Sequence, residues 1–335
     1  MIKEAKQLNE LVSTAYKIVV IQPDNPDGDS LGSSLALEQI LMELGKDTDL
    51  VCGVNMPGYL SYLPGRDRVN AILPNQYDLA VIVDTSAMSL IDTLLSNNPH
   101  AYHALSSKPL IIIDHHVSES SIEFATLRIN KSGASATAEI IYKLAKQLKW
   151  PLNTVAKNAL AAAILSDTLG LTTDATTADT VYTIAELVEG GVSLSALEAA
   201  RRDMMRKSPE LVHYKGKLLE RIEYYDDDRV ALLVIPWPEI EKYSPSYNPS
   251  MLALDDMRLT TNTAAAVVLK VYPTGKITAK IRTNYGYPIA AKLAEQFGGG
   301  GHEFASGFKL TDSRDLETLK QEIITRTKAL LNETV

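Results

Sequence analysis

The chain has 335 residues, of which 45% are hydrophobic and 22% are charged, and its formal net charge is −8. This length and composition predict two folded domains and exclude a largely disordered chain. The acidic balance, 33 basic against 41 acidic residues, argues against a long nucleic-acid track, because such a track needs a basic face. A small anionic substrate bound at a local site is compatible with it.

The longest apolar runs, such as 159–165, are far shorter than the roughly 20 residues of a membrane-spanning helix. Residues 1–4 lack the apolar region of a signal peptide. We therefore expect a cytoplasmic protein with no membrane partner. Cys52 is the only cysteine, so any bound metal must be held by oxygen and nitrogen, which suits manganese or magnesium.

The N-terminal half alternates short apolar runs with helical patterns. Strands are predicted at 17–21, 78–83 and 110–113. The segments between them are long enough for crossover connections, which favours a parallel sheet with helices on both faces. After the first strand, a helical pattern places Leu31, Leu35 and Met42 on one face.

The rest of the chain begins with helices and then changes to strands. Helices are predicted at 136–150, 155–169 and 177–189, followed by a charged helical segment at 197–223. Strands are predicted at 230–235, 264–271 and 276–282. This order predicts an α/β protein with a catalytic domain at 1–195, a helical connector at 196–224 and a smaller α/β domain at 225–335.

Metal-binding types of side chain follow each of the three N-terminal strands. They are Asp27 and Asp29, then Asp84, then Asp114, His115 and His116. Ligands of open parallel sheets bind outside the carboxyl ends of the strands, so these segments should converge there, and Asp167 could complete the cluster. A single aspartate often only caps a helix, but three clusters at one sheet edge favour a metal site. Two ions held roughly 3.5–4 Å apart by carboxylates can activate water and bind phosphate oxygens.

A glycine-rich segment near the C-terminus is a candidate phosphate-binding element. Gly298, Gly299, Gly300 and Gly301 precede His302 and follow a predicted helix at 288–297. Consecutive glycines let backbone N–H groups approach a phosphate, and His302 would add a donor or a positive charge. Arg282, at the end of a predicted strand, could bind phosphate through two hydrogen bonds.

These motifs resemble the DHH phosphoesterase family, which is named for the triplet seen here as Asp114-His115-His116. The other matching motifs are Asn25–Asp29 (NPDGD), Val83–Thr85 (VDT) and Ser166–Thr168 (SDT). The segment 297–302, continuing to Ala305–Gly307, is similar to the signature of the DHH-associated C-terminal domain. Together with the length, it resembles the subgroup of nanoRNases and pAp phosphatases.

The resemblance implies a role for each matching residue. Two manganese ions, or alternatively magnesium or cobalt, would be bound by Asp27, Asp29, Asp84, His115 and Asp167. Asp84 would bridge the ions, Asp114 would orient His115, and His116 would face the substrate phosphate. The C-terminal domain would bind the other phosphate or the base through Arg282, Gly299, Gly300, Gly301 and His302.

One position departs from the family pattern. The family usually has a histidine four residues before the first aspartate of the first motif, and this chain has Pro23 there. Proline has no side-chain ligand, so Gln22, Asp24 or a water molecule would have to take the position.

The sequence therefore predicts a metal-dependent phosphoesterase that cuts short oligoribonucleotides to mononucleotides, or pAp to AMP. Two alternatives are open. A cyclic or linear dinucleotide phosphodiesterase would share every catalytic residue, and a nucleotide sensor would have lost catalysis along with the motif histidine. A homodimer is also possible.

Overall fold

The structure is a computed structural model that describes residues 2–117, 120–244, 247–312 and 314–333. The chain divides into two compact units, Met1–Arg206 and Lys207–Val335. The division falls inside the predicted connector. No helix in the described ranges has both the length and the apolar character needed to cross a bilayer.

The first unit is built on a five-stranded parallel sheet. Its strands are β1 (Lys17–Gln22), β2 (Asp47–Cys52), β3 (Leu79–Val83), β4 (Leu110–Asp114) and β5 (Leu127–Asn130). Their order across the sheet is β2-β1-β3-β4-β5, and each neighbouring pair is parallel. The central strands β1, β3 and β4 are buried on both faces, which explains their uninterrupted apolar sequences.

Helices cover both faces of this sheet. They are α1 (Ala5–Thr14), α2 (Gly28–Glu43), α3 (Asp92–Asn97), α4 (Ala101–Ser107), α5 (Thr137–Leu148), α6 (Thr154–Asp167), α7 (Ala178–Glu189) and α8 (Leu194–Met204). One core joins Ile18 and Val20 of β1 to α2, α5 and α6, and the other joins Val19 and Ile21 to α3 and α4. Because successive side chains of a strand point to opposite faces of the sheet, β1 contributes to both cores. The predicted fold class is confirmed.

The second unit is a smaller α/β layer structure. Its strands are β6 (Glu223–Tyr225), β7 (Val230–Ile235), β8 (Ala265–Val271), β9 (Ile277–Thr283), β10 (Gly300–His302) and β11 (Ala305–Leu310). Its helices are α9 (Pro209–Leu219), α10 (Trp237–Tyr243), α11 (Pro249–Leu259), α12 (Ala290–Glu295) and α13 (Leu316–Glu333). The sheet order is β10-β11-β9-β8-β7-β6, with β7 and β8 parallel and the other pairs antiparallel.

Three local expectations differ from the structure. Met42 is 54% exposed, whereas Leu31 and Leu35 are buried, because the deeply buried part of α2 ends at Leu41. The helical segment predicted at 197–223 is divided, since Ser208 caps a new helix whose first residue is Pro209. The glycine-rich loop forms the short strand β10, which pairs with β11.

Candidate active site

The carboxyl-end edge of the parallel sheet carries the predicted metal-binding side chains. Asp84 directly follows β3, and Asp114 is the last residue of β4. Asp27 is the N-cap of α2, where its Oδ1 accepts the N–H groups of Asp29 and Ser30 at 3.0 Å each. Asp167 ends α6. Four separate segments therefore deliver carboxylates to one region, as the strand-end placement predicted.

The Nε2 atom of His115 is the geometric centre of the cluster. It lies 3.4 Å from Asp167 Oδ2, 3.5 Å from Asp84 Oδ1 and 3.9 Å from Asp29 Oδ2. One set of possible ligand atoms comes from Asp29, His115 and Asp167, and another from Asp84, His115 and His116. Within each set the atoms lie within 4.8 Å of one another. Asp27 belongs to neither set.

The two histidines of the triplet are oriented by different groups. His115 Nδ1 faces the carbonyl oxygen of Ala134 at 3.4 Å, which leaves Nε2 directed at the carboxylates. Asp114 Oδ1 lies 2.8 Å from His116 Nδ1 and also accepts the backbone N–H of His116 at 3.2 Å. The predicted role of Asp114 as the residue that orients His115 is therefore wrong, because Asp114 binds His116.

Residues that the sequence reasoning missed hold the aspartates in place. The N–H of Thr137 donates to Asp29 Oδ2 at 2.6 Å, and the N–H of Ala138 donates to Asp29 Oδ1 at 3.1 Å. Thr137 Oγ1 also donates to Asp84 Oδ1 at 3.1 Å. The only sequence signal was a run of small residues before a helix at 132–137, which reads as an ordinary helix start.

The cluster accumulates negative charge in a buried place. Burial, together with the charges of Asp29, Asp27 and Asp167, holds the pKa of Asp84 well above its ordinary value. Burial also raises the pKa of Asp29, and burial with the charge of Asp29 raises the pKa of Asp167 to about 6. Carboxylates that raise one another's pKa in this way form a ready site for a cation, whose charge would offset the repulsion.

His116 differs from His115 in exposure and in charge. Half of its side chain is exposed, and the hydrogen bond with Asp114 raises the pKa of His116. Burial alone would raise the pKa of Asp114, but hydrogen bonds from His116 lower it. With Nδ1 held by Asp114, the Nε2 atom of His116 is the one available to a substrate.

Asp84 has an unusual backbone conformation. Its φ is 62°, in the left-handed region that residues other than glycine seldom adopt. The bond from its N–H to the carbonyl of Ile113 (2.9 Å) and the bond from Thr137 hold this conformation. Such strain is typical of functional positions, because the surrounding structure must stabilise it.

The position that departs from the family pattern is also resolved in part. One carboxylate oxygen of Asp24 is engaged, since its Oδ2 accepts the N–H of Thr93 at 2.7 Å in the first turn of α3. The other oxygen, Oδ1, is buried and has no hydrogen-bond partner among the described residues. Gln22 is fully buried, and neither polar atom of its side chain has a hydrogen-bond partner among the described residues. Both residues expected to replace the histidine therefore keep an unused acceptor atom, Oε1 of Gln22 and Oδ1 of Asp24, among the described residues.

The predicted substrate-binding residues of the second unit lie around one shallow cavity. Arg282, Gly299, Gly300 and Gly301 line it, together with Lys280 and other residues of β9 and β11, and its volume is about 590 Å³. A Cβ atom at Gly299 would lie 2.2 Å from the carbonyl oxygen of Gly307, so only glycine fits there. His302 is exposed on β10 and is not part of this lining.

Carboxylates and imidazoles gathered at the carboxyl edge of a parallel sheet form a candidate metal site on an α/β fold. The comparison with known families agrees with this interpretation. Residues 17–166 match the DHH family, N-terminal domain, and residues 244–329 match the DHHA1 domain. The chain therefore contains a DHH domain followed by a DHHA1 domain.

Similar proteins extend this comparison over nearly the whole chain. The bifunctional oligoribonuclease and PAP phosphatase NrnA of Bacillus subtilis is 25% identical over 328 residues, which are 94% of this chain and 98% of that protein. An exopolyphosphatase-related protein from Bacteroides fragilis has a TM-score of 0.81 at 22% identity, covering 98% of this chain and 97% of that one. RecJ in complex with Mn2+ from Thermus thermophilus has a TM-score of 0.52 at 15% identity, covering 98% of this chain and 54% of that one. At these identities the two structures show the fold alone.

Proposed function

We propose that this protein is a metal-dependent phosphoesterase that hydrolyses short oligoribonucleotides to mononucleotides and pAp to AMP. The observation that carries the proposal is the convergence of three carboxylates, from Asp29, Asp84 and Asp167, within 4 Å of His115 Nε2. The likeness to the Bacillus subtilis oligoribonuclease and PAP phosphatase supports the substrate class.

The donor set fits divalent metal ions. Asp29, Asp84, His115 and Asp167 would hold them, and Asp27 would contribute through the carboxylate oxygen that does not cap α2. Oxygen ligands with imidazole suit manganese, and magnesium or cobalt are alternatives. When bound, such ions would supply an activated water molecule and neutralise charge on the phosphate.

The protein's own groups would then complete the site. His116 is held at Nδ1 by Asp114, so its Nε2–H would donate to a phosphate oxygen or to the departing oxygen. Thr137 would fix one oxygen of Asp84, which restricts how that carboxylate can rotate. His116 is therefore the proposed acid or substrate contact, and Asp114 and Thr137 are positioning residues.

The cavity around Arg282 would bind the part of the substrate remote from the bond that is cut. Burial and the charge of Arg282 lower the pKa of Lys280, and burial and the charge of Arg258 lower the pKa of Arg282. An anionic phosphate would offset this repulsion. We propose that Arg282 and the backbone of Gly299–Gly301 contact a terminal phosphate or a base there, with His302 at the exposed end of β10.

A dinucleotide phosphodiesterase would use the same metal-binding residues, so the experiment must compare substrates. Purified protein would be incubated with manganese and, separately, with RNA dinucleotides, pAp, cyclic dinucleotides and pyrophosphate, and the products identified. Monophosphates from dinucleotides and AMP from pAp are expected. Turnover restricted to cyclic dinucleotides would favour the alternative, and nucleotide binding without any turnover would make the protein a sensor.

Matched variants distinguish turnover at this site from turnover by a contaminating enzyme. Asp84→Asn removes the charge at the centre of the cluster, whereas Asp92→Asn makes the same change at an exposed position of α3. Turnover should be lost in the first variant and kept in the second. Equal activity in both would refute the assignment of the cluster as the active site.

A further inference from the structure

The first unit contains a pocket of about 590 Å³ at the C-terminal end of α6. Its walls are mostly apolar, and the side chains that define it are Tyr62, Leu165, Leu169, Leu194, Leu197 and Arg201. The volume lies within the roughly 300–1,000 Å³ typical of small-molecule sites. All of these residues belong to the unit that carries the metal-type cluster.

The pocket and the cluster are connected through neighbouring residues at the end of α6. Ser166 lines the pocket, and the next residue, Asp167, reaches His115 in the cluster. On the other side, Gly28 stands between Asp27 and Asp29. A Cβ atom at Gly28 would lie 2.1 Å from Ser166 Oγ and 3.2 Å from the Tyr62 hydroxyl. The absence of a side chain there lets the start of α2 pack directly against the pocket wall.

The chemistry of the walls fits a flat ring with polar edges. Three leucines and the ring of Tyr62 offer apolar surface, and Leu169 is 73% exposed at the rim, where a bound group would cover it. One side is polar, because Arg201 Nε and Nη2 bind the two carboxylate oxygens of Glu198 at 2.7 and 3.0 Å. This ion pair gives the pocket a polar edge.

We infer that this pocket binds the nucleobase of the nucleotide whose phosphate lies at the metal-type cluster. The inference rests on the proposed function and adds to it a base subsite in the first unit. The phosphate and ribose of a nucleotide are polar and belong at the cluster. The base is the part with apolar faces and a hydrogen-bonding edge, and faces of this kind are bound by aromatic and aliphatic side chains in a sequence-tolerant way.

The test is a binding experiment, so it does not depend on turnover. Affinities for AMP and for ribose 5-phosphate, its base-free counterpart, would be measured with the full-length protein in the presence of manganese. The wild type should bind AMP about tenfold more tightly than ribose 5-phosphate. Leu169→Trp, which places a larger ring at the pocket mouth, should remove most of this preference and leave the affinity for ribose 5-phosphate unchanged.

Two further variants make the result specific. Ile72→Trp is the matched control, because Ile72 is 72% exposed in the same unit and lies outside the pocket. Leu194→Trp fills the pocket from α8 and should reproduce the effect of Leu169→Trp. The inference is overturned if the wild type does not prefer AMP, or if the preference survives in both pocket variants. Pocket-dependent AMP binding in a protein that hydrolyses nothing would refute the proposed function and leave the base subsite standing.

Discussion

Replacing Glu139 by glutamine is expected to destabilise the first unit and to loosen the turn that holds the active-site carboxylates. Glu139 has a fully buried carboxylate. Its Oε2 accepts hydrogen bonds from the N–H of Ser135 at 3.0 Å, from the hydroxyl of Ser135 at 2.7 Å and from the hydroxyl of Thr180 at 2.9 Å. Its Oε1 binds Lys143 at 2.6 Å. Ser135 is two residues before Thr137, so Glu139 anchors the turn that presents Thr137 to the cluster.

The magnitude follows from the change in hydrogen-bond type. Hydrogen bonds to a charged group are worth about 1.5–3 kcal/mol and neutral ones about 0.5–1.5 kcal/mol, a difference of about 1 kcal/mol per bond, so neutralising the acceptor of three buried bonds should cost about 3 kcal/mol. Loss of the ion pair between Glu139 and Lys143 should add little to this cost, because Lys143 also binds Asp179 at 3.0 Å. For a unit of this size, about 3 kcal/mol corresponds to a fall in melting temperature of about 6–12 °C.

The assay must report on one unit, because two units need not unfold together. Trp150 lies in the first unit and Trp237 in the second, and they are the two tryptophans of the chain. In a Trp237→Phe background, fluorescence therefore follows the first unit. Glu186→Gln is the control, since Glu186 binds Lys146 at the surface, with 44% of its side chain exposed, and should cost less than about 1 kcal/mol.

The pH dependence gives a second check on the same change. Burial opposes ionisation of Glu139, but hydrogen bonds from Lys143 and Ser135 prevail and lower its pKa below the ordinary 4.5. A group whose pKa is lowered on folding stabilises the protein above its unfolded-state pKa, and this stabilisation is lost as the pH falls through the folded-state value. The difference in the free energy of unfolding between wild type and Glu139→Gln should thus be complete at pH 7 and decrease in acid. A difference that is absent at pH 7, or that grows below pH 4.5, would refute the reasoning.

Three further predictions concern the site. Asp84→Ala should lower kcat at least about 1,000-fold with manganese, because it removes the carboxylate shared by the cluster, and turnover at the wild-type rate would contradict this role. Arg282→Ala should raise KM for a dinucleotide about tenfold with little change in kcat, and Arg206→Ala, at an exposed position, is the control. A fall in kcat alone would instead mean that Arg282 takes part in the chemical step. Pro23→His should tighten manganese binding, measured by titration, if a coordination position is open beside Gln22. An unchanged affinity would mean that another group already occupies it.

The fold was predictable where burial leaves a strong pattern. β1, β3 and β4 are buried on both faces and have continuous apolar sequences, so their positions were predicted within about a residue. The edge strands were not predicted. β2 begins with Asp47 and Asp49, which bind Lys17 at its exposed end, and β5 alternates buried and exposed residues over only four positions. Their pairing is set by neighbours in space, which local sequence does not contain.

The carboxylates of the site were predictable, but their supporting contacts were not. Asp84 and Asp114 stand at strand ends, and strand ends meet at one edge of a parallel sheet. The groups that orient the carboxylates are a threonine hydroxyl and backbone N–H groups, and the group that faces His115 is the carbonyl of Ala134. None of them has a distinctive residue type. The error over Asp114 has the same origin, because the direction of a side chain after a strand end depends on backbone angles rather than on residue order.

The strained conformation of Asp84 connects these observations. A residue with φ of 62° persists only if its surroundings favour it, and here the same turn that Glu139 anchors donates from Thr137 to Asp84. The free-energy cost of this backbone conformation falls on one residue. The stabilisation that offsets it comes from a buried hydrogen-bond network that extends over two helical turns. Because the repulsion among Asp29, Asp84 and Asp167 adds to that cost, the first unit should be more stable with manganese than after treatment with a chelator. The carboxylates would then be the place where metal binding and folding are coupled.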